Sequence, residues 1–484
     1  MAQASESTAF VRRDMLAQKA PPVSERGILK WLRENLFAGP FNTLLTVLGL
    51  MAVYFLIRGF TPWLSNSVWN AESYRECRDI VTAQAGEGAT GACWAVVRVR
   101  WNQFLFGLYP VQEYWRPTTA MALMLVSLAP VLYYGLSRPN TRMVGAVTLG
   151  LVLALWGIGA DIWHLILSTA IMLGLLVVAW LAPKKLVWLT VLFPAIGYYL
   201  LWGGSVWGPV GVVIGVAIGV LVWTYVQRSF GVVVAAAIGL FAALLWWGLV
   251  QTTVTTAVHS ILPLDLRYVR SDDFGGFLLA FVIGVAAITA SLPIGILLAL
   301  GRQSDMPLVK TLSVGFIEFF RGVPLITVLF SANFMLLYFL PPRTNFDLIV
   351  RVIIVVIIFA SAYIAEVIRG GLAALPRGQY EAADALGLDY WQAQRLIIMP
   401  QALKISIPGI VSSFIGLFKD TTLVALVGLM DPLQGVTKIV RADTAWKGIY
   451  WEPYIFVGAI FFVVCFSMSR YSMYLEGKLK TDHR

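Results

Sequence analysis

Long apolar runs separated by short polar or charged stretches dominate the chain. Windows of about 18 to 22 residues are almost free of charge, which is enough to cross a hydrocarbon core of roughly 30 Å. Backbone groups in lipid have no water to bond, so such segments must be helices. The pattern predicts about twelve transmembrane helices, near residues 41–58, 118–136, 143–160, 164–182, 186–203, 206–226, 229–250, 276–300, 312–340, 347–369, 405–429 and 453–475.

The composition supports an all-α, polytopic membrane protein. Of 484 residues, 59% are hydrophobic and 13% are charged, whereas soluble proteins average about 25% charged. The predicted organisation is a polar leader, which is too long for a cleaved signal peptide, then a transmembrane extension of about seven spans with one large loop, and a C-terminal core of five spans. These parts cover residues 1–39, 40–250 with the loop at 59–117, and 270–480.

The basic residues follow the predicted topology. A net charge of +10 would suggest nucleic-acid binding in a soluble protein. Here the short loops "RPNTR" (138–142) and "PKK" (183–185) are basic, whereas the loops "ADIW" and "GGS" on the other side carry no Arg or Lys. Positive loops face the cytoplasm. We therefore expect both termini in the cytoplasm and no nucleic-acid partner.

Two cysteines fall in the large loop, which this orientation places outside the cytoplasm. Cys77 and Cys93 could pair as a disulfide if that compartment is oxidising, and two free thiols are the alternative. The few His and Cys residues show no metal-ligand spacing, so no metal site is expected. No catalytic residues stand out, and no Gly-x-x-x-x-Gly-Lys-[Ser/Thr] run is present to hold nucleotide phosphates.

A mixed polar segment interrupts the apolar pattern between the spans that end near Arg369 and start near Ile405. It reads "EAADALGLDYWQAQRLIIMP". Gly387 suits the end of one short helix, Asp389 is a plausible N-cap for a second, and Pro400 would end that second helix. We expect two short amphipathic helices on the cytoplasmic membrane surface, which form a docking surface for another protein.

This segment resembles the signature of membrane subunits of bacterial ABC importers: Glu-Ala-Ala, three residues, Gly, nine residues, Ile, one residue, Leu-Pro. Met399 replaces the usual Leu, a volume-conserving change. In that family the segment is the coupling helix that enters a cleft of the ATPase subunit. The resemblance implies a coupling loop at 374–404, with the signature positions at Glu381, Ala382, Ala383, Gly387, Ile397 and Pro400.

The resemblance covers residues 270–480, which fit the five-span type I importer core of the polar amino acid (His/Glu/Gln/Arg) permease branch. The motifs that carry it are "RGVPLITVLF", "AEVIRGGLAALPRGQYEAA", "PQALKISIPG" and "KDTTLVALVG". Together with "GGFLLAFVIG" and "SLPIGILLALGR", the long extension resembles the M-type permease of general L-amino acid transporters (AapM/BztC type).

This family implies the permease subunit of an importer in the bacterial inner membrane, moving L-amino acids into the cytoplasm by alternating access. No cofactor is expected in this chain, since ATP and Mg would lie on a partner. The implied partners are a second, homologous permease chain, two cytoplasmic ATPase subunits, a periplasmic amino acid binding protein, the L-amino acid itself and membrane lipid.

Charges at membrane depth are the candidates for substrate contact, because they are costly there. An amino acid needs a cation for its carboxylate and an acceptor for its ammonium group, and Lys419, Asp420, Thr421 and Thr422 offer both. A helix break with a subunit contact is the plain alternative for these four residues.

Two further charged pairs are candidates. Glu318 and Arg321 lie three residues apart on one helix, so they either neutralise each other or meet the substrate during passage. Glu366 and Arg369 precede the coupling loop, and we expect them to brace it on the exit side.

Two other functions compete with import driven by ATP. A secondary amino acid transporter driven by an ion gradient would need charged midplane sites in both halves, yet the first seven spans are almost free of charge. A membrane-integrated enzyme or a non-transporting scaffold, with the extension as a docking platform, is the second. The sequence leaves open which amino acids are accepted, which permease holds the pathway, and what the extension does.

Overall fold

A computed structural model of the chain describes residues 27–133, 135–339 and 347–479. Residues 1–26 of the predicted leader lie outside the described residues. The chain divides into two compact units, Met1–Ala95 and Val96–Arg484.

The described part of the first unit, residues 27–95, contains three helices and a disulfide. The helices are α1 (Gly27–Asn35), α2 (Pro40–Ser65) and α3 (Tyr74–Ala85). A disulfide joins Cys77 on α3 to Cys93. Next to it, the backbone N–H of Val68 donates to the carbonyl of Ala92 at 2.7 Å. The segment after α2 is therefore a folded element, closed by a covalent bond and backbone hydrogen bonds.

In the second unit, four helices of the extension pack around a shared apolar centre. After α4 (Ala95–Phe106) come α5 (Trp115–Leu132), α6 (Ser137–Gly157), α7 (Ile162–Leu181) and α8 (Val187–Trp202). Val126, Leu155 and Met172 are fully buried between them. This burial explains why α5 to α8 form a bundle: each presents apolar side chains to its neighbours.

A helical hairpin and a short sheet complete the extension. The helices are α9 (Trp207–Phe230), α10 (Val232–Leu245) and α11 (Gln251–Ile261), with a π turn at Trp246–Val250. The Trp246 indole donates to the carbonyl of Gly211 at 2.8 Å, a close approach that a glycine surface permits. Antiparallel β1 (Gly204–Ser205) and β2 (Asp265–Leu266) link the two ends of this hairpin.

The rest of the unit is the helical core. Its helices are α12 (Gly276–Gln303), α13 (Pro307–Gly322), α14 (Leu325–Phe339), α15 (Leu348–Ala373), α16 (Arg377–Ala385), α17 (Tyr390–Ala393), α18 (Met399–Asp420), α19 (Pro432–Ala442) and α20 (Trp451–Leu479). The central helix α15 packs along α12 and against α18. One apolar cluster lies around Ile283 and Ile349, and another surrounds Ile317 and Ile368 near α16.

The predicted polytopic, all-α fold is confirmed. Among the described residues, 11 helices are long and apolar enough to cross a membrane, or 12 if the bent pair α13 and α14 is one span. That pair corrects the single span predicted at 312–340, because its helices meet at 102°. Pro324 explains the bend: a residue before proline avoids helical geometry, and Val323 is extended, with φ −108° and ψ 133°.

Candidate functional site

Residues 374–404, hereafter the EAA segment, form a structured protrusion. Gly387 connects α16 to α17 with φ +70°, as a helix-ending glycine does. Asp389 caps α17: its Oδ1 accepts from the N–H of Gln392 at 2.9 Å, and the Gln392 side chain accepts from the N–H of Asp389 at 3.1 Å. The expected glycine turn and N-cap are therefore present in the structure.

Pro400 does not end the second helix, which corrects the sequence prediction. Helix α17 passes through a π turn at Gln394–Ile398 directly into α18. A proline within a helix lacks the N–H donor and clashes with the carbonyl four residues earlier. The extra residue of a π turn opens the backbone at such a point. The second amphipathic helix is therefore the start of a long span.

The signature residues of the EAA segment differ in exposure. Glu381, Ala382, Gly387 and Pro400 are exposed, Ile397 is half-buried, and Ala383 is buried. Sequence reasoning missed the large exposed apolar side chains beside them, which are Leu386, Tyr390, Trp391 and Leu396. The signal that could have found them is a set of large apolar residues spread through an otherwise polar segment. The protrusion therefore presents a mixed surface with apolar anchors.

Glu366 is the centre of an ionic cluster that joins three helices. Its Oε1 accepts from Arg302 Nη1 at 2.7 Å. Its Oε2 accepts from Arg369 Nε at 3.1 Å and lies 3.5 Å from Arg321 Nη1. Arg302 Nη1 also donates to Glu318 Oε1 at 2.9 Å. We call these five residues the Glu366 cluster. It ties α12 and α13 to α15, about two turns before the EAA segment.

This geometry places four of the predicted residues together. Glu366 and Arg369 contact each other, as a brace requires. Glu318 and Arg321 each pair with another helix, where the sequence had suggested pairing within one helix. Arg302 was missed, because a basic residue at the end of an apolar span reads as a topology signal.

The second candidate group, residues 419–422, lies at the end of α18. The Asp420 side chain lines an open cavity of about 490 Å³ at the bend between α13 and α14. Thr421 is buried, and its hydroxyl donates to the carbonyl of Phe418 at 2.8 Å. The Thr422 hydroxyl donates to the carbonyl of Lys419 at 2.9 Å. These threonines therefore shape the turn.

Lys419 and Asp420 differ in surroundings. The Lys419 side chain is exposed. Asp420 shares the cavity with Tyr363 of α15 and Ser413 of α18, two polar residues that sequence reasoning did not select. The remaining walls are mostly apolar, including Leu325, Phe359 and Phe414. A mostly apolar cleft with a few polar groups is the usual form of a small-molecule site.

Comparisons with known proteins extend this description. Residues 291–481 match the family described as the inner membrane component of binding-protein-dependent transport systems. The chain is 60% identical, over 99% of both chains, to the glutamate/glutamine/aspartate/asparagine transport system permease protein BztC of Rhodobacter capsulatus. It is 35% identical, over 93% of both chains, to the inner membrane amino-acid ABC transporter permease protein YhdY of Escherichia coli.

A shorter relative also matches. The glutamate/aspartate import permease protein GltK of Escherichia coli is 32% identical over 42% of this chain and 90% of its own length. The two near full-length matches therefore include the extension, whereas GltK corresponds to less than half of this chain. Permeases of this family are transport components whose systems also contain ATPase and binding-protein partners. With this identity along nearly its whole length, the chain belongs to the family of amino-acid ABC transporter permeases.

Proposed function

We propose that this chain is the transmembrane permease subunit of an importer that carries L-amino acids into the cytoplasm across the bacterial inner membrane, with both termini cytoplasmic. The proposal rests on one helix that connects two sites. Helix α15 lines the cavity with Phe359 and Tyr363, contains Glu366 of the Glu366 cluster, and leads into the EAA segment. The name of the 60% identical relative supports acidic amino acids and their amides as substrates.

The EAA segment is the proposed contact with the ATPase. Leu386 is 73% exposed and Leu396 is 63% exposed. Apolar side chains at the tip of a polar protrusion gain free energy when a partner's cleft removes them from water. ATP and Mg bind to two cytoplasmic ATPase subunits in this proposal, so this chain hydrolyses nothing and needs no cofactor of its own. Approach of the ATPases would push the EAA segment and, through α15, open and close the pathway.

The cavity is the proposed half of the substrate pathway. In this proposal the carboxylate of Asp420, which lines the cavity, accepts the substrate ammonium group, while the apolar walls exclude water. Lys419 remains the candidate cation for the substrate carboxylate, with its side chain on the neighbouring exposed face. The cavity is open at one side, which suits a second permease, homologous but encoded separately, that supplies the other half.

The remaining partners follow from the same orientation. A periplasmic binding protein delivers the amino acid at the end of the bundle opposite the EAA segment, and lipid covers the exposed apolar faces of the spans. Glu318 and Arg321 lie in the Glu366 cluster, and in this proposal they belong to the exit of the pathway.

Substitution of one exposed leucine tests the proposed coupling. Leu386→Asp changes a side chain that contributes little to the fold, since it is mostly exposed. In proteoliposomes with the complete complex, we expect ATP-dependent uptake to be lost and ATPase to be released from the membrane. The matched control is Leu264→Asp, an exposed leucine near β2 at the opposite end. Full uptake by Leu386→Asp would refute the EAA segment as the ATPase contact.

A further inference from the structure

A chain of hydrogen bonds connects the extension to the first turn of α15. Trp202 is the last residue of α8, and its indole Nε1 donates to Ser271 Oγ at 2.9 Å. The Ser271 hydroxyl donates to Oδ2 of Asp347. Asp347 is the N-cap of α15, and its Oδ1 accepts from the N–H of Val350 at 3.1 Å. We call this the Trp202–Ser271–Asp347 relay. Trp202 and Ser271 are buried.

The end of α8, where the relay begins, is held in place by further hydrogen bonds. Arg116 is fully buried, and its guanidinium donates to the carbonyls of Leu200, Leu201 and Arg267. The Tyr109 hydroxyl also donates to the carbonyl of Leu201, at 2.7 Å. Burial raises the pKa of Tyr109, so the hydroxyl stays protonated as a donor. The last carbonyls of a helix lack partners within it, and a cation is favourable there. The end of α8 is therefore held by buried polar contacts.

Helix α15 runs from the relay at its first turn towards the EAA segment. It has 26 residues without a break, from Leu348 to Ala373, or about 39 Å at 1.5 Å per residue. The relay holds its first turn. The Glu366 cluster surrounds its other end, and α16 begins at Arg377. Phe359 and Tyr363 of the cavity lie between, about 18 to 24 Å from Asp347 along the helix.

We propose that the extension is a pivot for α15. With Asp347 held by Trp202 and Ser271, a push on the EAA segment tilts α15 about its first turn and moves Phe359 and Tyr363 sideways relative to Asp420. Without the relay, the same push also displaces the first turn of α15. Phe359 and Tyr363 then move less relative to Asp420. Trp202, Ser271 and Asp347 are thus positioning residues that set how much hydrolysis becomes transport. The inference rests on the proposed function, because it needs a force on the EAA segment.

Ser271→Ala tests the pivot. The substitution removes one oxygen atom and with it the hydrogen bonds of Ser271 to Trp202 and Asp347. The matched control is Ser127→Ala, since among the residues that the structure describes the buried hydroxyl of Ser127 bonds only to the carbonyl of Met124, within α5, at 2.7 Å. Each variant is reconstituted as the complete complex, and the ATP hydrolysed per amino acid taken up is measured. Glutamate is the probe substrate.

We expect Ser271→Ala to raise the ATP used per glutamate about five- to tenfold, the size expected for losing buried hydrogen bonds, while hydrolysis stays near wild type. Ser127→Ala should match wild type, and Ser271→Thr, which keeps the hydroxyl, should restore most of the coupling. Trp202→Phe keeps an aromatic ring but removes the indole donor and part of the ring, and it should change the ratio in the same direction, so it tests the relay if Ser271→Ala fails to assemble.

Three other results have distinct meanings. If uptake and hydrolysis fall together in Ser271→Ala at an unchanged ratio, the relay only stabilises the fold and the pivot is refuted. An unchanged ratio at full activity refutes it as well. If the wild-type complex itself shows no ATP-dependent uptake, the proposed function fails, which is a separate outcome.

Discussion

Glu366→Gln is the substitution that most sharply probes the Glu366 cluster. The cluster contains three arginines and two glutamates, so its net charge changes from +1 to +2 in the variant. Glutamine keeps a hydrogen-bond acceptor and nearly the same volume. The perturbation is therefore almost entirely electrostatic, and it falls where α12, α13 and α15 meet.

The size of the expected loss in stability follows from how exposed these side chains are. The Glu366 side chain is 15% exposed, and its partners Arg302, Arg321 and Arg369 are 25%, 37% and 43% exposed. Breaking a buried pair costs about 3–5 kcal/mol, whereas an exposed pair is worth about 0–1 kcal/mol. Glu366 lies between these limits, since it is mostly buried but its partners reach solvent. We expect a loss of about 2–3 kcal/mol in the free energy of unfolding.

Denaturation by SDS in mixed micelles measures this loss, and ATP used per amino acid in the reconstituted complex measures coupling. The control is Glu34→Gln, the same substitution in an exposed pair with Lys30 at 3.7 Å, where we expect a change below about 0.5 kcal/mol. Glu366→Gln should also uncouple hydrolysis from uptake. Equal stability of the two variants with unchanged coupling would contradict the brace.

Single substitutions also test the cavity, the glycine turn and the disulfide. Asp420→Asn should abolish uptake while basal ATP hydrolysis persists in the intact complex, and Lys419→Met should weaken uptake through the same site; full uptake by Asp420→Asn would exclude it from the pathway. Gly387→Ala places a side chain at φ +70° and should cost about 1 kcal/mol, seen as faster proteolysis of the EAA segment. Cys93→Ser opens the 16-residue link to Cys77 and should destabilise that loop by about 3 kcal/mol, measured as protease sensitivity that reductant reproduces in wild type.

The spans were predictable because backbone groups in lipid must form their hydrogen bonds within the segment. An apolar run of sufficient length must therefore be a helix. The glycine turn at Gly387 and the cap at Asp389 were predictable for a similar reason, since each depends on a few neighbouring residues. Pro400 shows where local rules fail: the proline rule assumes a regular helix, and the π turn before it removes the clash.

The ionic contacts needed the structure. Arg302 and Glu366 are 64 residues apart in the sequence, and nothing in the local pattern indicates that they meet. The spacing of Glu318 and Arg321 suggested a pair within one helix, but packing of α13 against α12 and α15 offered each a closer partner. The relay from Trp202 to Asp347 is likewise a product of how the extension folds onto the core.

Import driven by ATP is tested by glutamate uptake into proteoliposomes that hold the complete complex, with ATP inside and no ion gradient. We expect uptake that requires both ATP and the ATPase subunits and that stops when Leu386→Asp replaces the wild-type permease. Uptake that proceeds without ATP, driven by a proton or sodium gradient alone, would contradict it.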